Sequence, residues 1–307
     1  MLNVSRLQVF REVIALGSFS AAADSLSYSQ SAVSQAIATL EEEAGAPLIE
    51  RTRAGARPTA AGAALVAHAG GILAQIDAAE SEIAAITEGR GGQLRAASFP
   101  TAGATLMPAA IAGFRASHPG VELTLAEGEP EEIVPRLRGG EFDLVISFEF
   151  EDGGERLGAG LRRFELLDDP LHLALPHDHR LAGRKRVGLT DLAEESWVQT
   201  SATSPCARHV VRSCHIAGFD PRVSFESDDY QTVQGLVAAG VGVALIPQLA
   251  LSTIRPDLLV RPLDSPPPAR RVFAATPRSA AASPAVATML DVLREGARNT
   301  GGAVPPA

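Results

Sequence analysis

The spacing of apolar positions divides the chain into three stretches with different periods. Over the first sixty residues the period is helical and the segments are short. Leu7, Phe10, Val13 and Ile14 recur at helical spacing and stop at Gly17. Ser18 suits the N-cap of a second helix through Ala21, Ala22, Ala23 and Leu26, followed by the polar turn Ser27-Tyr28-Ser29. A third helix is predicted from about Gln30 to Ala44, with Gly45 as its stop. On it Val33, Ile37 and Leu40 share one face, while Gln30, Ser31, Ser34, Gln35 and Ala38 point elsewhere. Small alanines on the second helix let the third cross it closely, so the pattern is a helix-turn-helix over about 19–38. Leu48 and Ile49 then anchor a short strand. Arg51, Arg53 and Arg57 flank Gly55 in a turn ending at Pro58, a wing with three positive charges where a phosphate backbone would pass.

From Thr59 to Glu88 the pattern becomes one long helix. Leu65, Ala69, Ile72, Ile76, Ala79, Ile83 and Ile86 recur alternately four and three residues apart, the heptad seam of a coiled coil. Thirty residues give about 45 Å of helix, and so narrow a seam calls for a second copy of the chain. The alternative is a helix packed on its own domain. Gly70 and Gly71 are expected to bend it.

Gly89, Gly91 and Gly92 mark a linker, beyond which strands and helices alternate. Leu94–Ser98 reads as a strand, Thr105–Ser117 as a helix and Val121–Glu127 as a strand. Helix Ile133–Arg138 and strand Leu144–Phe148 follow, and the alternation continues through Val243–Ile246. Such a succession predicts parallel sheets covered by helices. Three organisational units result: 1–60, 61–89 and 92–307.

Composition narrows the function. At 307 residues, 46% hydrophobic and 21% charged, the chain is globular and not mostly disordered. No apolar run reaches the roughly 18 residues of a membrane span. Arg6, Arg11 and Glu12 interrupt any signal-peptide layout, and two cysteines make no disulfide framework, so a cytoplasmic location is expected. A net charge of −9 excludes a uniformly basic nucleic-acid coat but leaves room for a local DNA-binding face. Within 1–60 five arginines stand against six carboxylates, so affinity is expected to depend on dimerisation.

The run GSFSAAADSLSYSQSAVSQAIATLEEEAGAPLIERTRAGARPTAAG resembles the DNA-binding domain of LysR-type transcriptional regulators. The resemblance continues through FRASHPGVELTL, LRGGEFDLVIS, LPHDHRLA, AGFDPRV and LVAAGVGVALIP, in the family's order and spacing, over nearly the whole chain. It departs at Ile49, where the family usually has Phe, at Gln35, where Arg is frequent, and at Ser31, often Pro. The resemblance implies an α/β protein with an N-terminal winged helix-turn-helix and a long dimerisation helix. A C-terminal two-lobed effector domain like the periplasmic binding proteins completes it, with lobe one about 92–164 and 268–300 and lobe two about 165–267. The implied partners are double-stranded promoter DNA, a small-molecule effector and further copies of the chain, as dimer and tetramer.

Gln30 and Gln35 are candidates for base contact, since glutamine pairs bidentately with adenine in the major groove. Ser29, Ser31 and Ser34 are placed to reach phosphate or base edges, and Arg51 and Arg53 to hold the backbone. The Glu41–Glu43 run reads as a solvated helix face. Ligands of open α/β sheets sit beyond the C-terminal ends of parallel strands, which nominates Ser98, Thr101, Gln199, Ser201 and Thr203 for the effector. Capping is the alternative role of Ser and Thr at helix starts. An acidic rim of Glu127, Glu129 and Glu149 points away from a strongly anionic ligand.

Other readings carry less. Some family members sense peroxide through a cysteine pair in the region of Cys206 and Cys214, here surrounded by Arg208, His209, Arg212 and His215. Eight residues of helix separate the pair by about 12 Å, beyond the reach of a disulfide. A ligand-independent, architectural DNA-binding protein is a further alternative. His177-Asp178-His179 lacks further metal ligands, Gly240 and Gly242 lack the third glycine of a dinucleotide fingerprint, and no nucleophile elbow or P-loop occurs. Neither an enzyme nor a cofactor is expected.

Overall fold

The computed structural model describes residues 1–52, 55–88, 92–151, 160–264, 267–278, 280 and 283–300. Arg53, Gly89, Gly91 and the side chain of Ile86 lie outside the described residues. The N-terminal unit holds α1 (Val4–Leu16), α2 (Phe19–Ser25) and α3 (Gln30–Ala44). Asn3, Ser18 and Ser29 each cap their helix by accepting the backbone N–H three residues on. Leu7, Phe10, Val13, Ala22, Ala23, Val33, Ile37 and Leu40 are buried in one core, and the alanines of α2 sit where the helices cross.

The wing is a two-stranded antiparallel sheet of β1 (Ile49–Thr52) and β2 (Gly55–Pro58). It is tied to the helices at two points. Ala56 N donates to Gly17 O at 2.7 Å. Gly55 has φ +121°, and a Cβ there would stand 2.4 Å from Gly17 O, so only glycine allows this approach. The second tie is Glu41, whose Oε1 accepts from the backbone N–H groups of Leu48 (2.7 Å) and Ile49 (3.1 Å). Glu43 in turn accepts from Arg6 Nη1 at 2.6 Å and from Asn3 N at 3.2 Å. The expected solvated face is thus corrected at Glu41 and Glu43, and of the three carboxylates Glu42 is the exposed one. Acceptors for the unpaired amides at the start of the wing explain the difference.

The long helix α4 spans Ala60–Glu88, 29 residues. Its expected seam divides between two surroundings. Ala69, with Leu73, is buried in the core of the N-terminal unit, and Leu65 and Val66 pack against that core. Ile72 (40% exposed), Ala79 and Ile83 (60% exposed) face outward, and Ile76 is half-buried. The first heptad therefore serves the helix's own domain, and the exposed stripe starts at Ile72. Gly70 serves a close approach of two backbones. It lies on Gly139, whose Cα would be 2.6 Å from a Cβ at residue 70.

Beyond the linker, β3 (Gln93–Ser98), α5 (Pro100–Ser117), β4 (Glu122–Glu127), α6 (Pro130–Arg138) and β5 (Leu144–Phe150) alternate. The three strands are parallel in the order β4-β3-β5. β6 (Leu161–Pro176) then crosses between sheets. Its Leu161–Pro170 half runs antiparallel to β11 (Ala269–Pro277), and its Leu171–Pro176 half pairs with β9 (Ala244–Pro247) and β10 (Leu258–Pro262). The second lobe adds β7 (Ser196–Gln199), α7 (Pro205–Ile216), β8 (Arg222–Glu226) and α8 (Tyr230–Ala238), with β7 and β8 parallel. α9 (Pro284–Thr300) returns to pack on α5. The two lobes meet where β3, β5 and β7 end, and there the second candidate site lies.

Candidate DNA-reading helix and inter-lobe cleft

The two faces of α3 divide as expected. Val33 and Leu40 are 0% exposed and Ile37 is 3% exposed, while Gln30, Ser31, Gln35 and Ala38 are exposed and Ser34 is half-buried. Ser29 is exposed, but its hydroxyl accepts from Ala32 N at 3.2 Å and lies 3.0 Å from Ser31 Oγ, so it also serves as the cap. The guanidinium of Arg51 sits 4.3 Å over the ring of Phe19, a contact that steadies the wing beside α2 and leaves Arg51 exposed. The polar face of α3 and the wing arginine are held by a packed, capped scaffold.

In the cleft, Arg270 is the centre. It enters from β11, is 2% exposed, and its Nε donates to Asp169 Oδ2 at 2.8 Å. Nη2 donates to Thr101 Oγ1 at 2.6 Å and Nη1 points to Cys206 Sγ at 3.7 Å. Its guanidinium lies 4.8 Å from the Phe99 ring and 4.7 Å from the Phe148 ring. One buried cation thereby joins lobe one (Thr101, Phe99), the crossing strand (Asp169) and lobe two (Cys206). Asp169 Oδ1 accepts from Leu249 N at 2.9 Å, so the carboxylate is itself held twice.

Two further contacts bridge the lobes. Phe150 stacks on His209 of α7 at 3.9 Å, and Arg208 of α7 pairs with Glu131 of α6. Beside them, burial pushes the Glu129 carboxyl up to about 7, against the pull of Arg270 and with the help of Glu131, Asp228 and Glu132. Burial also raises the Cys206 thiol, although Arg270 and Tyr230 oppose the shift. Cys214 is pushed up to about 12, by burial first and Asp220 second.

The sequence candidates fall differently around this centre. Thr101 is in it through Arg270. Gln199 (8% exposed) and Ser98 (0%) are buried at strand ends. Neither Ser98 nor Thr101 caps α5, whose N-cap position is Phe99 without a side-chain bond. The capping role belongs to Ser204, which accepts from Ala207 N at the start of α7 and lies 2.5 Å from Thr200 Oγ1. Ser201 and Thr203 stand farther out: Ser201 N donates to Asp228, and Thr203 is exposed. Glu149, expected on the rim, is held by Arg163 (2.6 Å) and Arg271 (3.6 Å). Arg270 and Asp169 were not among the sequence candidates. Both are buried where β6 and β11 run side by side, and the available signal was two charged pairs (Asp168-Asp169, Arg270-Arg271) beside apolar strand residues. His177 Nε2 turns to Pro256 O at 3.1 Å and His179 Nε2 to Glu195 at 3.3 Å, so the two histidines do not converge.

Comparison with known proteins agrees with this architecture. Residues 4–63 match the family model of the bacterial regulatory helix-turn-helix protein, lysR family, and residues 87–298 match that of the LysR substrate binding domain. The probable HTH-type transcriptional regulator LrrA of Synechococcus elongatus is 33% identical, over 96% of this chain and 97% of its own. A hydrogen peroxide-inducible genes activator of Dickeya chrysanthemi is 29% identical over 88% of each chain. The structure of a full-length OxyR variant from Pseudomonas aeruginosa superposes over 99% of both chains with a TM-score of 0.73 at 24% identity, a likeness of fold. Among the described residues no helix is long and apolar enough to cross a membrane. A helix-turn-helix with a wing and a two-lobed domain, each matched by its family model on either side of a long helix, place the chain in the LysR family of transcriptional regulators.

Proposed function

We propose that α3 reads promoter DNA in the major groove with Gln30 and Gln35 at base edges, and that Ser29, Ser31, Ser34, Arg51 and Arg53 position it on the backbone. The observation that carries this is the polar face of α3, exposed opposite a fully buried Val33–Ile37–Leu40 stripe. Two such helices, joined by α4 through the outward Ile72–Ile83 stripe, suit a partly palindromic site in the cytoplasm. In the same reading residues 1–60 bind DNA, 61–89 dimerise and 92–307 bind the effector.

The effector site is the cleft around Thr101, Arg270, Ser98 and Gln199, with Ser201 and Thr203 at its outer edge. Ligand binding there changes how the lobes sit, because the polar and ring contacts across the cleft are discrete: Arg270–Cys206, Arg208–Glu131 and Phe150–His209. A thermal-shift screen of metabolites on the full chain, followed by DNA-binding titrations with each hit, tests this. Hits that stabilise the protein and change operator affinity support it, whereas an operator affinity indifferent to every stabilising hit favours the architectural alternative.

The Dickeya relative is named for hydrogen peroxide. For this chain a Cys206–Cys214 disulfide switch is disfavoured. Both cysteines are buried on α7, eight residues and about 12 Å apart, and both thiols are raised by burial. Mass spectrometry after peroxide treatment, with both thiols free, is the expected result.

A further inference from the structure

The polar and ring contacts that cross the cleft differ in how firmly each can hold. The Arg208–Glu131 pair is open to solvent, with side chains 55% and 48% exposed, and such pairs contribute little and are screened by salt. Arg208 also donates to Thr203 O within its own lobe. Arg270 Nη1 reaches Cys206 Sγ at 3.7 Å, and a thiol sulfur is a weak acceptor. The other Arg270 nitrogens stay held by Asp169 of β6 and Thr101 of α5, so water replaces the thiol at little cost when the lobes part.

The third contact is of another kind. Phe150, 4% exposed at the end of β5, lies flat against the His209 ring of α7, with centroids 3.9 Å apart and planes 6° from parallel. It is braced from behind. Its ring stands nearly perpendicular to Phe148 at 5.9 Å, and Phe148 to Phe99 at 4.9 Å. Phe99 and Phe148 are themselves buried and carry the Arg270 guanidinium over their rings. Three packed rings of lobe one thus end in one fixed apolar plane, which lobe two meets with His209. A stacked aromatic pair holds more than the area it buries, and salt does not screen it.

We infer that the Phe150–His209 stack is the latch of the cleft: it holds the lobes together without a ligand, and parting the two rings opens them. Its consequence for DNA rests on the cleft being the effector site. α5 also packs on the turn Gln248–Leu251, but there Asp169 of the crossing strand holds Leu249 N, so that contact belongs to the pivot. The two cysteines of α7 give the opening its readout. Cys206 faces Arg270 across the cleft and is uncovered when the lobes part. Cys214 is 0% exposed eight residues farther along the same helix, and it is uncovered only if lobe two itself loosens.

The full-length protein, without ligand, is labelled with N-ethylmaleimide, and the rate at each cysteine is read by peptide mass spectrometry. His209→Gln removes the ring and is expected to label Cys206 about two- to tenfold faster than the parent, with Cys214 unchanged. His209→Phe keeps a flat ring and is expected to stay near the parent rate, which a role through the imidazole nitrogens would not allow. Salt at about 1 M, which screens Arg208–Glu131, is expected to leave the parent's Cys206 rate within about twofold. The inference is overturned by His209→Gln labelling Cys206 at the parent rate, or by His209→Phe labelling it as fast as His209→Gln. Both cysteines speeding up together, or salt alone matching His209→Gln, overturns it equally. If His209→Gln does not fold, Phe150→Leu makes the same test from lobe one, with the same expected and contradicting rates. Affinity for the best-bound promoter fragment, measured on the same proteins, separates the two readings. Faster Cys206 labelling with unchanged DNA affinity upholds the latch and contradicts the cleft as effector site, whereas unchanged labelling contradicts the latch.

Discussion

Arg270 donates to Thr101 at 2.6 Å across a sequence separation of 169 residues, and the same guanidinium holds Asp169 at 2.8 Å. Both charges of the Arg270–Asp169 pair are almost wholly buried, at 2% and 0% side-chain exposure. Breaking such a pair leaves an uncompensated interior charge. Arg270→Ala is expected to lose about 3–5 kcal/mol in urea unfolding. Arg270→Lys should recover part of that, since an ammonium cannot address three partners in one plane. A loss under about 1 kcal/mol for Arg270→Ala would mean that Asp169 is hydrated or rearranged.

Glu41 is a structural acceptor for the wing. Glu41→Ala removes the partner of two backbone N–H groups, those of Leu48 and Ile49, at a cost of about 1–3 kcal/mol. Glu41→Gln retains a carbonyl acceptor and is expected to lose less. DNA affinity of the full chain should fall in the same order, because the wing loses its fixed angle to α3. Equal stability of the three proteins would contradict this role.

Much of the fold was legible in the sequence, for reasons that are local. The stripe of Val33, Ile37 and Leu40, the caps Ser18 and Ser29, and the glycine stops are set within a few residues of chain, and local periodicity records them. What escaped was tertiary. Ala69 has the spacing of the dimer stripe, but its small side chain lies against α1's core. Glu41–Glu43 reads as solvent-facing until the wing folds back on it. Strand-end logic nominates Thr101 and Gln199, whereas Arg270 arrives from a strand that no motif marks, and its burial follows from the antiparallel pairing of β11 with β6.

Gly70 lies against Gly139 and so sets α4 on lobe one. Gly70→Ala adds about 1 kcal/mol of helix propensity but sets a methyl 2.6 Å from Gly139 Cα, so α4 and α6 must separate. The variant should keep its ligand-free operator affinity while the coupling between ligand and DNA falls by on the order of 1 kcal/mol. Titrations of DNA with and without a stabilising ligand check it, and an unchanged coupling would mean that the signal runs elsewhere.

Glu129 sets a pH dependence. Its carboxyl, raised from 4.5 to about 7 by burial, keeps its proton in the folded cleft where the unfolded chain has already lost it. Between these values the folded state binds more protons than the unfolded one, so stability contributed at this site falls as pH rises from about 4.5 to about 7 and is level on either side. Melting temperatures from pH 4.5 to 8 should show that part of the slope disappear in Glu129→Gln. An identical profile for parent and variant would contradict the assignment.

The central claim is that the exposed face of α3 reads base sequence. It is tested most directly by titrating the full-length protein, and its Gln35→Ala and Gln30→Ala variants, against its best-bound promoter fragment and a scrambled one at fixed salt. The prediction is a loss of about 1–3 kcal/mol per glutamine on the promoter fragment, with affinity for scrambled DNA unchanged. Equal losses on both fragments, or none on either, would contradict it.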